Sequence, residues 1–375
     1  MVKKTEIKRS NLFKLKDLSE KEIKNLEVLE LISKKGVISR TDISKITGIN
    51  IVSISNYIKD YIDRKLVDEK GLDVSSGGRK PELVELAVKE NYVIGIAVDR
   101  EAATLTLTDL NINVVENVRS ALLKSTVKEI SATLAALIKE VISKAGISEN
   151  RVKSISIGSA DDNLASVAKI LEKHFSIPVF FSDESLAAAF GENRLNKDAS
   201  AGSMLYMHSD LGKGVMIENH TCEIADDSSE KSKYLKPWPV MLGMAAMANK
   251  EVSKGVGTRM VELASGKVEN ITEDVVIKAA GEKDEVASNI IYSAGINLGL
   301  RAAYLVNLFS PETVVIGGGA QKAGGPILDT VRKMVARLAL TKFSKTVRII
   351  PGALEDGAVN LGAASLAVRE IFLKA

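Results

Sequence analysis

Three short helical periods open the chain, each bounded by residues that start and stop helices. Ile23, Leu26, Leu29, Leu31 and Ile32 fall roughly on one face of a helix that opens at Ser19 and stops at Gly36. Glu22, three residues after Ser19, completes a capping box. A second helix is predicted from Ser39, with Asp42 in its first turn, Ile43 and Ile46 turned inward, and Gly48 at its end. The third starts at Asn50, a good cap, and runs to about Lys65, with Val52, Ile54, Tyr57, Ile58, Tyr61 and Ile62 on its inward side. Two short helices joined through Thr47-Gly48-Ile49 have the proportions of a helix-turn-helix. Residues 66–69 and 82–86 then read as two short strands joined by the Gly-rich segment SSGGRKP (75–81). Helix, helix-turn-helix and hairpin, in that order, make a winged helix.

From Tyr92 the period changes. Residues 93–98 form a buried strand, 104–108 alternate with Leu105 and Leu107 on one face, and 113–115 continue the meander. A helix at 127–144, a strand at 152–157, a helix at 164–175, a strand at 179–181 and a helix at 184–194 complete this half. A second hairpin begins near Ser203, turns through 210–214 and repeats the logic of the first, which points to an internal duplication. Long helices follow at 284–309 and 323–340, and the strand 313–316 between them runs into Gly317-Gly318-Gly319. Two α/β lobes with a cleft between them is the implied architecture.

Composition narrows the class. With 45% hydrophobic and 26% charged residues the chain is an ordinary globular one, not a disordered or disulfide-stapled one. No apolar run reaches the ~18 residues that would cross a bilayer. The basic start MVKKTEIKRSNLFK has no apolar stretch behind it, so no secretory signal and a cytoplasmic location are expected. One cysteine, Cys222, allows neither an internal disulfide nor a multi-cysteine zinc cage.

Charge adds a hint of a partner. The net charge of +3 is small, but residues 1–90 hold 19 Lys/Arg against 15 Asp/Glu, and the remainder 32 against 33. A basic front on a neutral body fits a DNA-binding module carried by a larger domain. In that module the third helix lies in the major groove of double-stranded DNA and shows Asn50, Ser53, Ser55, Asn56 and Lys59 to bases and phosphates. Gly77-Gly78 lets the wing tip approach the duplex, bringing Lys80 close and Arg79 into a narrow, electronegative minor groove. The plainer alternative is a protein-docking module with a solvated charged loop, and Gly-Gly-Arg-Lys at the hairpin tip weighs against it.

The segment LVNLFSPETVVIGGGA (305–320), with its Asn, Pro and Gly-rich turn in order and spacing, resembles the ROK family (repressors, open reading frames and sugar kinases). SSGGRKPELVEL is similar to the wing of the family's repressors, and LEDGAVNLGAASLAV (354–368) to their C-terminal helix. The resemblance covers nearly the whole chain. It implies an α/β fold in which a winged helix-turn-helix, 1–88, precedes a two-lobed actin/hexokinase-like (ribonuclease H-like) domain. Lobe I would take 89–200, with the helix 357–375 returning to it, and lobe II 201–356. Kinase members lack the winged helix, so its presence points to the repressor branch.

The same resemblance marks what this chain has lost. The family's first phosphate hairpin, Asp-x-Gly-Gly-Thr, is matched by Ala97-Val98-Asp99-Arg100-Glu101, and its second, Gly-Thr-Gly, by His208-Ser209-Asp210. Carboxylates at such turns repel triphosphate oxygens. The family's base, in Asn-Asp-x-Asn, is matched by Asp183-Glu184-Ser185-Leu186; either Glu184 or, one residue out of register, Asp183 takes its place. An acidic pair that simply favours a helix dipole explains them equally well. Glu223-Ile224 matches the Glu-Ile before the family's zinc-ligand His; Asp226 replaces that His and the three-cysteine run is gone. Only five residues, 159–163, stand where the family has a longer sugar-contacting segment.

The expected protein is therefore a homodimeric regulator, or a dimer of dimers, acting as a repressor at an inverted-repeat operator, with no enzymatic activity, zinc or ATP. A small sugar-like effector would bind near Asp183, Glu184, Glu223 and Asp226 and rotate the lobes, changing the spacing of the wings. Two other classes compete: an ATP-dependent sugar kinase with an accessory DNA-binding domain, and a scaffold that binds neither DNA nor sugar.

Overall fold

The computed structural model describes residues 18–72, 82–99, 102–122, 126–199, 202–208, 214–217, 221–224 and 243–375. The chain divides into two compact units, Met1–Ala187 with Val359–Ala375, and Ala188–Ala358.

The first unit opens with α1 (Glu20–Lys35), β1 (Ile38–Ser39), α2 (Arg40–Thr47), α3 (Ile51–Asp63), β2 (Val67–Leu72) and β3 (Glu82–Leu86). Each helix starts where a short polar side chain takes an orphan amide. Ser19 and Glu22 form the reciprocal capping box, Ser39 Oγ accepts from Asp42 N at 3.0 Å and Asn50 Oδ1 from Ser53 N at 2.8 Å. Val28, Leu29, Ile32, Ile43, Ile54, Ile58 and Tyr61 are fully buried. The strands pair in the order β1-β3-β2; β1, which is too short to show a period, escaped the sequence reading.

Three apolar positions expected inside lie outside instead. Val52 is 67% exposed, Ile46 56% and Ile23 41%. In α3 the buried set is Ile54, Ile58 and Tyr61. At 100° per residue, Val52 stands about 200° away from Ile54. The short α2 buries only Ile43. In α1 the place is taken by a polar residue, Asn25, at 1% exposure. Helix α3 stops at Asp63, and Lys65 takes a left-handed conformation (φ 59°).

Next come β4 (Tyr92–Val98), β5 (Ala102–Asp109), β6 (Val114–Ala121), α4 (Val127–Lys144), β7 (Val152–Gly158), α5 (Leu164–Phe175), β8 (Val179–Ser182) and α6 (Glu184–Leu195). Their sheet has the order β6-β5-β4-β7-β8, an antiparallel meander continued by parallel strands. Ile94, Ile96, Leu105, Leu107, Ile155 and Ile157 pack with Leu134, Ile138 and Leu171 of the covering helices.

The second unit carries β9 (Met204–His208), β10 (Gly214–Ile217), β11 (Thr221–Ile224), α7 (Met244–Ser253), α8 (Arg259–Leu263), α9 (Glu273–Gly281), α10 (Glu285–Phe309), β12 (Thr313–Gly317), α11 (Gly325–Leu338), α12 (Thr341–Ser344) and β13 (Arg348–Pro351). Its sheet order, β11-β10-β9-β12-β13, repeats that of the first unit strand for strand. The duplication suspected from two hairpins is thus a duplication of whole sheets. The short helices α7–α9, each ten residues or fewer, were not legible in the sequence. Finally α13 (Ala358–Leu373) returns to the first unit, where Asn360 Nδ2 donates to Thr106 Oγ1 of β5 at 2.6 Å. Among the described residues no helix is long and apolar enough to cross a membrane.

Candidate nucleic-acid interface

Helix α3 separates its two faces sharply. Ile54, Ile58 and Tyr61 point into the core, while Asn56 and Lys59 are exposed on the other side. The remaining polar residues singled out on this helix are partly committed elsewhere. Asn50 spends its Oδ1 on the cap. Ser55 donates its Oγ to Ile51 O at 2.9 Å and, like Ser53, is half-buried. Of the residues singled out on this helix, Asn56 and Lys59 are the two that are exposed and show no hydrogen bond among the described residues. Arg79 and Lys80, expected at the wing tip, lie outside the described residues.

The base of the wing is held by a residue that the sequence reading passed over. Arg40, at the start of α2, reaches Glu69 of β2 at 2.7 Å and Glu82 of β3 at 3.2 Å. Lys70 pairs across the hairpin with Glu85 at 2.7 Å. A single Arg bridging two strands fixes the hairpin against α2, although such half-exposed pairs contribute only about 1 kcal/mol or less each. An Arg after a helix cap has no pattern that would announce this, since its partners lie 29 and 42 residues away.

The winged helix is anchored to the rest of its unit by polar contacts, some of them buried. Tyr61 Oη donates to Asn25 Oδ1 at 2.9 Å, and Asn25 Nδ2 donates to the carbonyl of Ala375. Burial pushes the Tyr61 phenol up, so it remains a donor throughout the physiological range. Arg64, just past α3, donates to Lys374 O at 2.7 Å, and Ser33 of α1 to Asn111 at 3.0 Å. Asn91 closes the far side with bonds to Lys65 O (2.6 Å) and Ala87 O (3.1 Å). The end of α3 is thus tied to the two residues that follow α13. Tyr61→Phe should cost about 1–3 kcal/mol, because it leaves the buried Asn25 oxygen without its donor. Urea unfolding of the full chain measures this, and an unchanged midpoint would show the bond to be idle.

Elsewhere, among the described residues, two turns of the kind that could hold a phosphate are engaged by the chain itself. At the β4–β5 hairpin Asp99 Oδ1 accepts from Ala102 N at 2.7 Å; Arg100 and Glu101 lie outside the described residues. After β12 the glycine turn needs left-handed backbone at Gly318 (φ 77°) and Gly319 (φ 105°). There Gly319 N donates to Gln321 Oε1 at 2.9 Å, and the Glu273 carboxylate sits against the Gly319 Cα. The hairpin turn at 209–213 is outside the described residues. At both described turns a backbone amide is thus engaged by the chain itself, with a carboxylate beside it.

The short segment after β7 also closes on itself. Ser159 Oγ donates to Val98 O at 2.7 Å, and Asp161 Oδ1 accepts from Asn163 N at 3.0 Å and Asn163 Nδ2 at 2.9 Å. Asp183 Oδ1 accepts from Ser185 N at 2.9 Å, so it caps the start of α6, and Glu184 is the first residue of that helix. Glu223 lies in β11 opposite Val215, and Cys222 opposite Met216. Asp226 and the rest of the segment matching the zinc loop lie outside the described residues. A chain with one cysteine does not supply a three-cysteine donor set.

Comparison with known proteins places this architecture. Residues 248–370 match the model of the ROK family. A xylose repressor of Caldicellulosiruptor bescii is 26% identical over 94% of this chain and 96% of its own length. A crystal structure of a ROK family transcriptional regulator, a homologue of the E. coli MLC protein, superposes with a TM-score of 0.74 at 20% identity, covering 94% of this chain and 96% of the other. A ROK family glucokinase from Streptomyces griseus, solved with glucose and AMPPNP, gives 0.61 at 20% identity and covers 74% of this chain and 99% of its own.

Proposed function

We propose that this chain, which carries a ROK family domain, is a sequence-specific DNA-binding transcriptional regulator acting as a repressor. The observation that carries the reading is α3, a well-capped helix with one face fully buried and Asn56 and Lys59 turned to solvent on the other. A helix of this kind after a helix-turn fits the major groove. The name borne by the C. bescii relative supports a repressor, and a sugar-like effector for it. Catalysis is not part of this reading: the engaged amides at Ala102 and Gly319 support a domain that no longer transfers phosphate.

A palindromic operator calls for two copies of the chain. The exposed side of α10 supports self-association. Between residues 286 and 309 its only charged residue is the buried Arg301, while Tyr292, Leu300, Tyr304 and Leu308 are 36–58% exposed. Such an uncharged stripe on a helix of about seven turns suits an isologous contact.

Selection of genomic fragments by the purified protein at two salt concentrations tests the reading. Enrichment of a few palindromic sites that survive moderate salt is the expected result; uniform binding that collapses with salt would leave phosphate attraction alone. On the selected operator, Asn56→Ala should cost about 1–3 kcal/mol and relax one position per half-site, whereas Lys59→Ala should weaken all sequences alike and lower the salt slope by about one. Robust sugar-dependent ADP release would restore the kinase reading.

A further inference from the structure

The face of α3 that carries Asn56 and Lys59 also carries Val52, at i, i+4 and i+7. Val52 is 67% exposed, and Ile51 beside it 45%. Neither serves the core, which is completed by Ile54, Ile58 and Tyr61 without them. Nor do they serve the helix, since β-branched residues are indifferent helix formers. They occupy its first two positions, directly after the Asn50 cap, and the N-terminal turn is the part of a reading helix that meets base edges. With Asn50 and Ser55 partly committed to backbone bonds, this end of the helix is largely apolar where it faces outward.

In the major groove one base presents an apolar group, the C5-methyl of thymine. We propose that Val52, supported by Ile51, reads thymine methyl groups, so that each half-site carries a thymine opposite the first turn of α3. This rests on the regulator reading and deepens it by naming the base. Val52 and Asn56 are about 6 Å apart along the axis, close to two base-pair steps. The thymine should therefore lie within about two positions of the base that Asn56 contacts, and Asn pairs best with adenine.

The test uses the full chain and the operator obtained by genomic selection. Each thymine of a half-site is replaced singly by deoxyuridine, which removes the methyl and keeps the base pair, and affinity is read by fluorescence anisotropy at fixed salt. For the unaltered protein, one or two positions should lose about fourfold per methyl, and thymines outside the contact should lose nothing. In Val52→Ala the thymine-to-uracil ratio at those positions should fall to about one. Val52 is exposed and alanine favours the helix, so this variant retains its fold. Val52→Thr, which keeps one methyl and the shape, should give an intermediate ratio. A site that binds specifically but is indifferent to every uracil, or a ratio unchanged in Val52→Ala, overturns the proposal alone. Selection of no specific site overturns the regulator reading and this one with it.

Discussion

Alanine at position 95 should unfold the first unit or come close to it. Gly95 lies in the middle of β4, on the sheet face opposite Ile94 and Ile96, and α13 rests directly on it. A methyl group there overlaps the Asn360 carbonyl oxygen and comes within 2.6 Å of Ala364 N. Both are backbone atoms of the same helix, so no side-chain rotation relieves the contact. The helix must lift, and the Asn360–Thr106 bond lifts with it. Overpacking that moves backbone costs about 1–3 kcal/mol and sometimes more, and contact with two backbone atoms of one helix puts this site at the upper end. Because the residues just past α13 hold Asn25 and Arg64, operator binding should fall in the same variant. Denaturant unfolding monitored with operator affinity measures both; a loss below about 0.5 kcal/mol would mean that α13 does not seat on β4 this closely.

Glu192→Ala should have the next largest effect, and in the other unit. Glu192 is 1% exposed. Its carboxylate accepts from Ala353 N at 3.0 Å, Leu354 N at 2.9 Å and Asn196 Nδ2 at 2.8 Å, so it replaces water for the segment that leads from β13 to α13. Gly352 is required beside it: a Cβ there would stand 2.9 Å from Glu192 Oε1. Truncation strands three donors, and buried donors without partners cost about 1–3 kcal/mol each before relaxation. A loss of about 3 kcal/mol is expected, with faster amide exchange at Ala353 and Leu354. Glu192→Gln should recover part of it, since one oxygen remains. Equal protection of those two amides in the alanine variant would refute the role.

Much of the molecule was legible in the chain alone. Local signals that act within four residues, such as the caps at Ser19, Ser39 and Asn50 and the stops at Gly36 and Gly48, placed the first three helices within a residue or two. Strand periodicity and one repeated hairpin were enough to suggest two similar lobes, and the two sheets have the same strand order. The positions of Asn56 and Lys59 on the outward side of α3 followed from the helical period. The segments α7–α9 and β13 were not legible, because short elements carry too few periods to stand out from loops.

What the sequence determined, then, was the order of elements and the helix-turn-helix, since both depend on neighbours along the chain. Only the tertiary structure decided which apolar residues are left outside and which polar ones are taken inside. Val52 and Ile54 are equally apolar, and their burial differs because α3 has one neighbour-facing side. Asn25 looks like a surface residue until Tyr61 and Ala375, 36 and 350 residues away, supply its partners. Burial and long-range hydrogen bonding are properties of the packed whole, and no local pattern of side chains encodes them.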